Sequence, residues 1–216
     1  MGDARFFEKL GQWLGRLLGL YAAVLGVEML ASLVVIAALS GAAPGSDRLR
    51  LAGLCLMAIA YSAYVELAAF VLIAVLFLRF LYKAVQQARG FTTPYTYVSP
   101  GWAVGYWLIP IVNLYRPFEA VKTLFKACAQ QAGGDGKPAA GEQLLGAWWG
   151  MFLVSNVAGW MLARSDIDLG STAGISTYAE YSIGCNLLLI IAVALFWLVI
   201  KRLVTAMGSS MQAPAR

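Results

Sequence analysis

Residues 99–117 read SPGWAVGYWLIPIVNLYRP, and the way this stretch meets a membrane decides the fold. It is apolar and aromatic, yet Pro100, Gly101, Gly105 and Pro110 interrupt it, and it closes on Asn113, Arg116 and Pro117. At 1.5 Å rise per residue, residues 99–114 as a helix would reach about 24 Å, short of the roughly 30 Å hydrocarbon core. Pro110 has no backbone N–H and its ring collides with the preceding turn, so no unbroken helix is expected through it. Broken backbone at membrane depth needs its N–H and C=O groups satisfied by protein or by a wet cavity. The stretch therefore reads as a re-entrant or interfacial hairpin packed against true spans. Trp102, Tyr106 and Trp107 would sit at headgroup level, and Asn113 would satisfy the broken backbone beside Pro110 or touch a ligand.

Outward from this centre the chain is a membrane protein by composition. It is 61% hydrophobic and 12% charged over 216 residues, against about 45–50% and 25% in soluble domains. Four apolar runs are long enough to span, at about 17–39, 51–78, 144–163 and 182–200. The first is too long for the h-region of a cleaved signal peptide and reads as an anchor. Amphipathic helices are expected at 5–16, leading into span one with Phe6, Leu10, Trp13, Leu14 and Leu17 on one stripe, at 79–89, running on from span two, and at 118–131, with Phe118, Val121, Leu124, Phe125 and Cys128 on its apolar stripe. Residues 133–142 (GGDGKPAAGE) read as a flexible linker and 208–216 as a disordered tail. The expected fold is one all-α membrane domain: a four-span helical bundle with the aromatic hairpin and cytoplasmic amphipathic helices. Gly11, Gly15 and Gly19 recur every four residues and would let another helix approach closely, within the chain or across a dimer.

Charge sets the orientation. There are 16 Lys and Arg against 11 Asp and Glu. With four spans and the amino terminus inside, thirteen of the basic residues fall in cytoplasmic segments, and the outer loops keep Arg48, Arg50 and Arg164. If residues 99–114 crossed, Arg116, Lys122, Lys126 and Lys137 would move outside, against that bias. The positive charge flanks apolar runs, so the lipid bilayer is the expected partner and nucleic acid is not. Arg116, Lys122 and Lys126 are candidates to hold lipid phosphate, with ordinary snorkelling as the alternative.

The chain has no histidine, which removes the commonest general base and metal ligand. Cys55, Cys128 and Cys185 form no CxxC or zinc spacing, and no phosphate loop or hydrolase constellation is present. No enzyme activity, metal or cofactor is expected. A disulfide between Cys55 and Cys185, each near the outer face, is open on sequence alone.

At the central stretch, SPGWAVGYWLIPIVNLYRPFEAV (99–121), with RFLYKAVQQAR (79–89) upstream, resembles the bacterial membrane family catalogued as domain of unknown function 4328. The likeness covers about residues 77–125; the other spans match only in being apolar. Tyr106 departs from the family pattern, which more often has a second tryptophan there. The resemblance implies a multi-span protein of the bacterial inner membrane and supplies no activity or substrate.

Two carboxylates fall deep inside spans. Glu28 and Glu66 lie about 11 and 12 residues from the inner ends of spans one and two, roughly 16 and 18 Å along a helix, so they can meet near the midplane. An ionised carboxylate there costs several kcal/mol, so each should be protonated, paired or wet. Ser62, one turn from Glu66, is placed to hydrogen-bond it. The functional reading is a proton, cation or cationic-headgroup site. The alternative is interhelical hydrogen-bonding, as also expected of Asn156 and Asn186. The expected function is a non-enzymatic membrane protein binding a lipid, amphiphile or protein partner through the hairpin, or else a small proton- or cation-coupled transporter using Glu28 and Glu66. A homo-oligomer is a possible assembly.

Overall fold

Apolar runs without an internal proline have only one way to satisfy their backbone in lipid, and that is the helix. The computed structural model describes residues 2–40, 47–91, 98–133 and 140–212. Among them it contains seven helices and no strand: α1 (Gly2–Leu39), α2 (Asp47–Ala88), α3 (Pro100–Gly105), α4 (Pro110–Asn113), α5 (Arg116–Gln131), α6 (Ala140–Ala163) and α7 (Thr172–Gln212). Four of them, α1, α2, α6 and α7, are long and apolar enough to cross a membrane. The all-α fold with four candidate spans is what the composition dictated.

Three helices run far past the hydrocarbon thickness. The 38, 42 and 41 residues of α1, α2 and α7 extend about 57, 63 and 62 Å at 1.5 Å per residue. The expected amphipathic segments 5–16 and 79–89 lie within α1 and α2, the one leading into span one and the other running on from span two as the sequence reads them.

The largest correction concerns α7. It starts at Thr172, inside what the sequence reads as a loop before span four, and runs to Gln212, inside what it reads as a disordered tail. Ser171 supplies the start, its hydroxyl accepting from the Gly174 N–H at 3.1 Å, as an N-cap does. Asp168 folds the chain into that cap, its carboxylate accepting from the Gly170 N–H at 2.9 Å. A Cβ at Gly174 would run into the Asp168 carbonyl, so glycine is required there. The linker is shortened as well. Gly133 turns the chain at φ 85, residues 134–139 lie outside the described set, and α6 begins at Ala140.

The chain divides into two compact units. The first comprises Met1–Leu18, Leu72–Gly150 and Ala194–Arg216. Its core is large side chains packed on one another: Leu14, Phe80, Leu81, Phe125, Leu145, Leu203 and Met207 are at most 1% exposed. Aromatic contacts tie its elements together. Phe7 meets Phe80 edge-on at 5.3 Å, Phe77 meets Phe196 at 5.0 Å, and Trp148 stacks on Phe196 at 4.6 Å. The buried stripe of α1 here is Phe7, Leu10, Leu14 and Leu18, whereas Trp13, expected on it, is 56% exposed beside Arg16.

The second unit comprises Gly19–Val71 and Met151–Val193. Leu25 and Val35 are fully buried, and Tyr21, Ala38, Ala52, Ala179, Ala192 and Val193 are buried as well. Its other buried side chains include the polar Glu28, Ser32 and Ser155. Long apolar side chains such as Leu54, Tyr61, Tyr64 and Leu67 face outward, as a lipid-facing surface requires.

Candidate functional site

The polar centre of the second unit is built by three helices. Glu28 comes from α1 and is 9% exposed. Its Oε1 accepts from the Ser62 hydroxyl of α2, and its Oε2 accepts from Nδ2 of Asn186, on α7, at 3.1 Å. Glu66, one turn along α2 from Ser62, sets its carboxyl group within hydrogen-bonding reach of Glu28. Its Oε1 is buried with no partner. Tyr21, two turns before Glu28 on the same face of α1, lies within electrostatic reach of both acids. So Ser62 serves Glu28 across the helix pair rather than Glu66 on its own helix. The i, i+4 spacing permits the local bond, but the hydroxyl goes to Glu28 and the Ile59 carbonyl instead.

Beside this cluster α1 and α2 enclose a groove of about 390 Å³. Leu20, Val24, Val27, Ala31, Ile59 and Val65 make its walls apolar, and Glu28 and Ser62 are the polar groups on it. That volume lies within the roughly 300–1,000 Å³ of small-molecule sites, which combine apolar walls with a few polar groups. The spans hold no Lys or Arg between 19–39, 51–71, 151–163 or 182–193. Any negative charge on the pair therefore lacks a fixed counter-ion in those segments.

Asn156 does not join the site. Its Nδ2 turns back to the Phe152 carbonyl of its own helix at 2.7 Å, on an exposed face. Asn186 was the informative asparagine, and only the fold separates the two. The glycines also divide. A Cβ at Gly11 would meet Val204 at 2.7 Å and one at Gly15 would meet the Trp197 indole at 2.9 Å, whereas Gly19 faces open space. Gly11 and Gly15 thus seat α7 of the same chain, and the expected three-glycine stripe ends at the second.

The hairpin residues lie in the first unit. Ser99 caps α3, accepting from the Trp102 N–H at 3.3 Å, with Pro100 in the first turn, where its missing N–H costs nothing. The chain breaks between Tyr106 and Ile109, and Pro110 opens α4. Trp102 and Tyr106 lie ring to ring at 5.6 Å. Trp107 packs edge-on against Phe77 at 5.3 Å and Trp149 at 5.7 Å. The Trp149 indole N–H donates to the Leu114 carbonyl at 3.1 Å, satisfying a group at the end of α4. Asn113 does not repair the break: its Oδ1 is buried without a partner, as is Trp107 Nε1. Leu108 and Ile111 are 75% and 84% exposed, the outward apolar tips of the stretch.

Cations crowd this unit and lie on aromatic rings. Arg116 pairs with Glu119 at 3.2 Å and lies 5.2 Å from the Tyr115 ring. Lys122 lies over Phe118 and Lys201 over Trp197. Lys126 is half-buried on α5. The stripe expected for α5 is buried at Val121, Leu124, Phe125 and Cys128 and half-buried at Phe118. Burial pushes the Cys128 thiol up to about 12, so it stays protonated against Met207 Sδ at 3.3 Å. All three cysteines are free thiols, with no Cys55–Cys185 bridge. Among the described residues no group of three or more His, Cys, Asp or Glu could hold a metal ion.

The sequence profile of a family described as a domain of unknown function, DUF4328, matches residues 41–205. The chain belongs to this family. The match takes in α2 to α6 and most of α7, so Ser62, Glu66 and Asn186 lie inside the DUF4328 region, while Glu28 and the packing glycines of α1 precede it. No curated protein and no solved structure matches the chain.

Proposed function

We propose that this DUF4328 protein is a non-enzymatic, multi-pass protein of the bacterial inner membrane that binds a lipid or small amphiphile from within the bilayer. The observation that carries the reading is the groove between α1 and α2, apolar along its walls and polar at Glu28 and Ser62. An amphiphile matches that pattern in both its parts. This moves the ligand site from the hairpin, where the sequence reading placed it, to the second unit. The hairpin remains an interfacial or re-entrant element in this proposal, its exposed Leu108 and Ile111 immersed and its neighbouring cations at the headgroups.

Both termini are assigned to the cytoplasm. Eleven described Lys and Arg residues fall in the first unit, and Arg48, Arg50 and Arg164 in the second. That asymmetry supports the first unit as the cytoplasmic one. Reporter fusions at each terminus test it.

The groove is tested by Ala31→Phe, which fills it beside Glu28. Binding of decyltrimethylammonium or decyl maltoside to the protein in lipid nanodiscs should fall at least about tenfold with helicity unchanged, a loss of about 1.4 kcal/mol. Unchanged binding of both probes would remove the groove as the site.

A second reading rests on a separate observation. The unpartnered Glu66 Oε1 beside Glu28 suits a proton- or cation-coupled transporter. Proton flux into proteoliposomes that vanishes in Glu66→Gln would favour it.

A further inference from the structure

The donors at the acid pair are unevenly shared. Glu28 accepts from Ser62 and from Asn186, one on each carboxyl oxygen. Glu66 receives no donor on Oε1. Hydrogen bonds to a carboxylate favour its charged form, and two carboxyl groups side by side share a proton rather than both ionise. Ser62 has one hydroxyl proton and two acceptors within reach, Glu28 and the Ile59 carbonyl. A charged acceptor holds the stronger bond, and the Ile59 carbonyl is already engaged by its helix. Among the described residues, a further titratable group within electrostatic reach of the pair is Tyr21, from α1. From α7 the facing group is the neutral Asn186.

We propose that the pair keeps one proton, on Glu66, and one negative charge, on Glu28, so that the groove takes an amphiphile with a single cationic head and yields it when a second proton neutralises the pair. This rests on the groove reading above and adds the ligand's charge and its competitor. The occupant follows from charge complementarity. The groove wall is apolar, its one charge is negative, and the spans of this unit carry no Lys or Arg to neutralise it. A dication would leave an unmatched positive charge in an apolar site, and a neutral amphiphile would leave the carboxylate unpaired.

Two measurements separate this inference from the reading beneath it. The first needs no ligand. Infrared spectra of the protein in lipid at pH 7 should show one protonated carboxyl band within the membrane, kept in Glu28→Gln and absent in Glu66→Gln. A band that survives Glu66→Gln, or the absence of any band in the unsubstituted protein, overturns the assignment. The second uses decyltrimethylammonium, a permanent monocation with no proton of its own, in nanodiscs of neutral lipid against empty nanodiscs. Binding should weaken about tenfold per pH unit once the pair takes its second proton, the slope of one competing proton. Glu28→Gln should weaken it at least about thirtyfold, as for a buried charge pair deprived of one partner. Glu66→Gln should leave it near the unsubstituted value. Decyl maltoside binding as tightly as the cation, or equal losses in the two variants, overturns the charge selection. If neither probe binds above empty nanodiscs, the groove reading falls and the ligand with it, and the infrared pattern alone still decides where the proton sits.

Discussion

In the first unit Leu14, Phe80, Phe125 and Leu203 are at most 1% exposed, whereas in the second Leu54, Tyr61, Tyr64 and Leu67 keep 61–73% of their surface. One helix, α2, contributes to both sets, with Phe80 in the first and all four residues of the second. Where the basic residues are, α3, α4 and α5 add protein against the helices and the core closes with aromatic rings. Where the basic residues are few, the helices among the described residues are parts of α1, α2, α6 and α7 alone, and their outward apolar side chains suit lipid as the neighbour. The difference teaches where chemistry can sit. A close-packed aromatic core leaves no room for a ligand. The second unit is open enough to hold a groove and polar enough to need one filled.

The sharpest way to break this comparison is truncation of one large side chain on each side of it. Phe80→Ala should cost about 3–5 kcal/mol of unfolding free energy in bicelles, as for a buried aromatic. Leu67→Ala should cost less than about 0.5 kcal/mol, as for an outward residue away from any special feature. Equal losses would mean that Leu67 meets protein rather than lipid.

Next in size is the close approach of α1 and α7. Gly11→Ala drives a methyl group into Val204 and should cost about 1–3 kcal/mol by overpacking. Gly19→Ala meets nothing and should be neutral or stabilise by up to about 1 kcal/mol. Oligomer size by light scattering should be the same in both, since the glycines serve an intramolecular contact.

The two asparagines sharpen the picture of the second unit. Asn186→Ala removes a donor from Glu28 and should cost about 1–2 kcal/mol, the upper range for a hydrogen bond between membrane helices. Asn156→Ala loses only a bond to its own helix and should stay within about 0.5 kcal/mol. The smallest effect belongs to the first unit's surface. Arg116 and Glu119 are 51% and 43% exposed, so Arg116→Ala should change stability by no more than about 1 kcal/mol, less in high salt. A larger loss would show that this pair is shielded from water by lipid.

Local rules carried much of this into the sequence. Pro110 announced the break between α3 and α4, whereas Pro100, which reads as an interruption in the sequence, opens α3 behind its Ser99 cap. Counting rise per residue put Glu28 and Glu66 at one level, and the structure sets them side by side. The register of α1 was not legible, because its stripe follows Phe7 rather than Phe6 and the choice is made by Phe80 on another helix. The start of α7 was legible but passed over: Ser171 three residues before Gly174 and the Asp168 turn are a helix-start signal, hidden by the polarity of the first turns. That Asn186 rather than Asn156 reaches Glu28 depends on which way α7 and α6 face, and no spacing within one segment records that.

The partners of Glu28 are also ordered in time. Ser62 follows it by 34 residues and Asn186 by 158. At a synthesis rate of roughly 5–20 residues per second, Asn186 emerges about 8–30 seconds after Glu28, long after α1 and α2 have left the ribosome. During that interval the helical pair α1–α2 carries an acid whose early ligand is a single serine hydroxyl. The expected consequence is that loss of Ser62 is felt first in the yield of membrane-integrated protein, measured as the membrane-extracted fraction of Ser62→Ala.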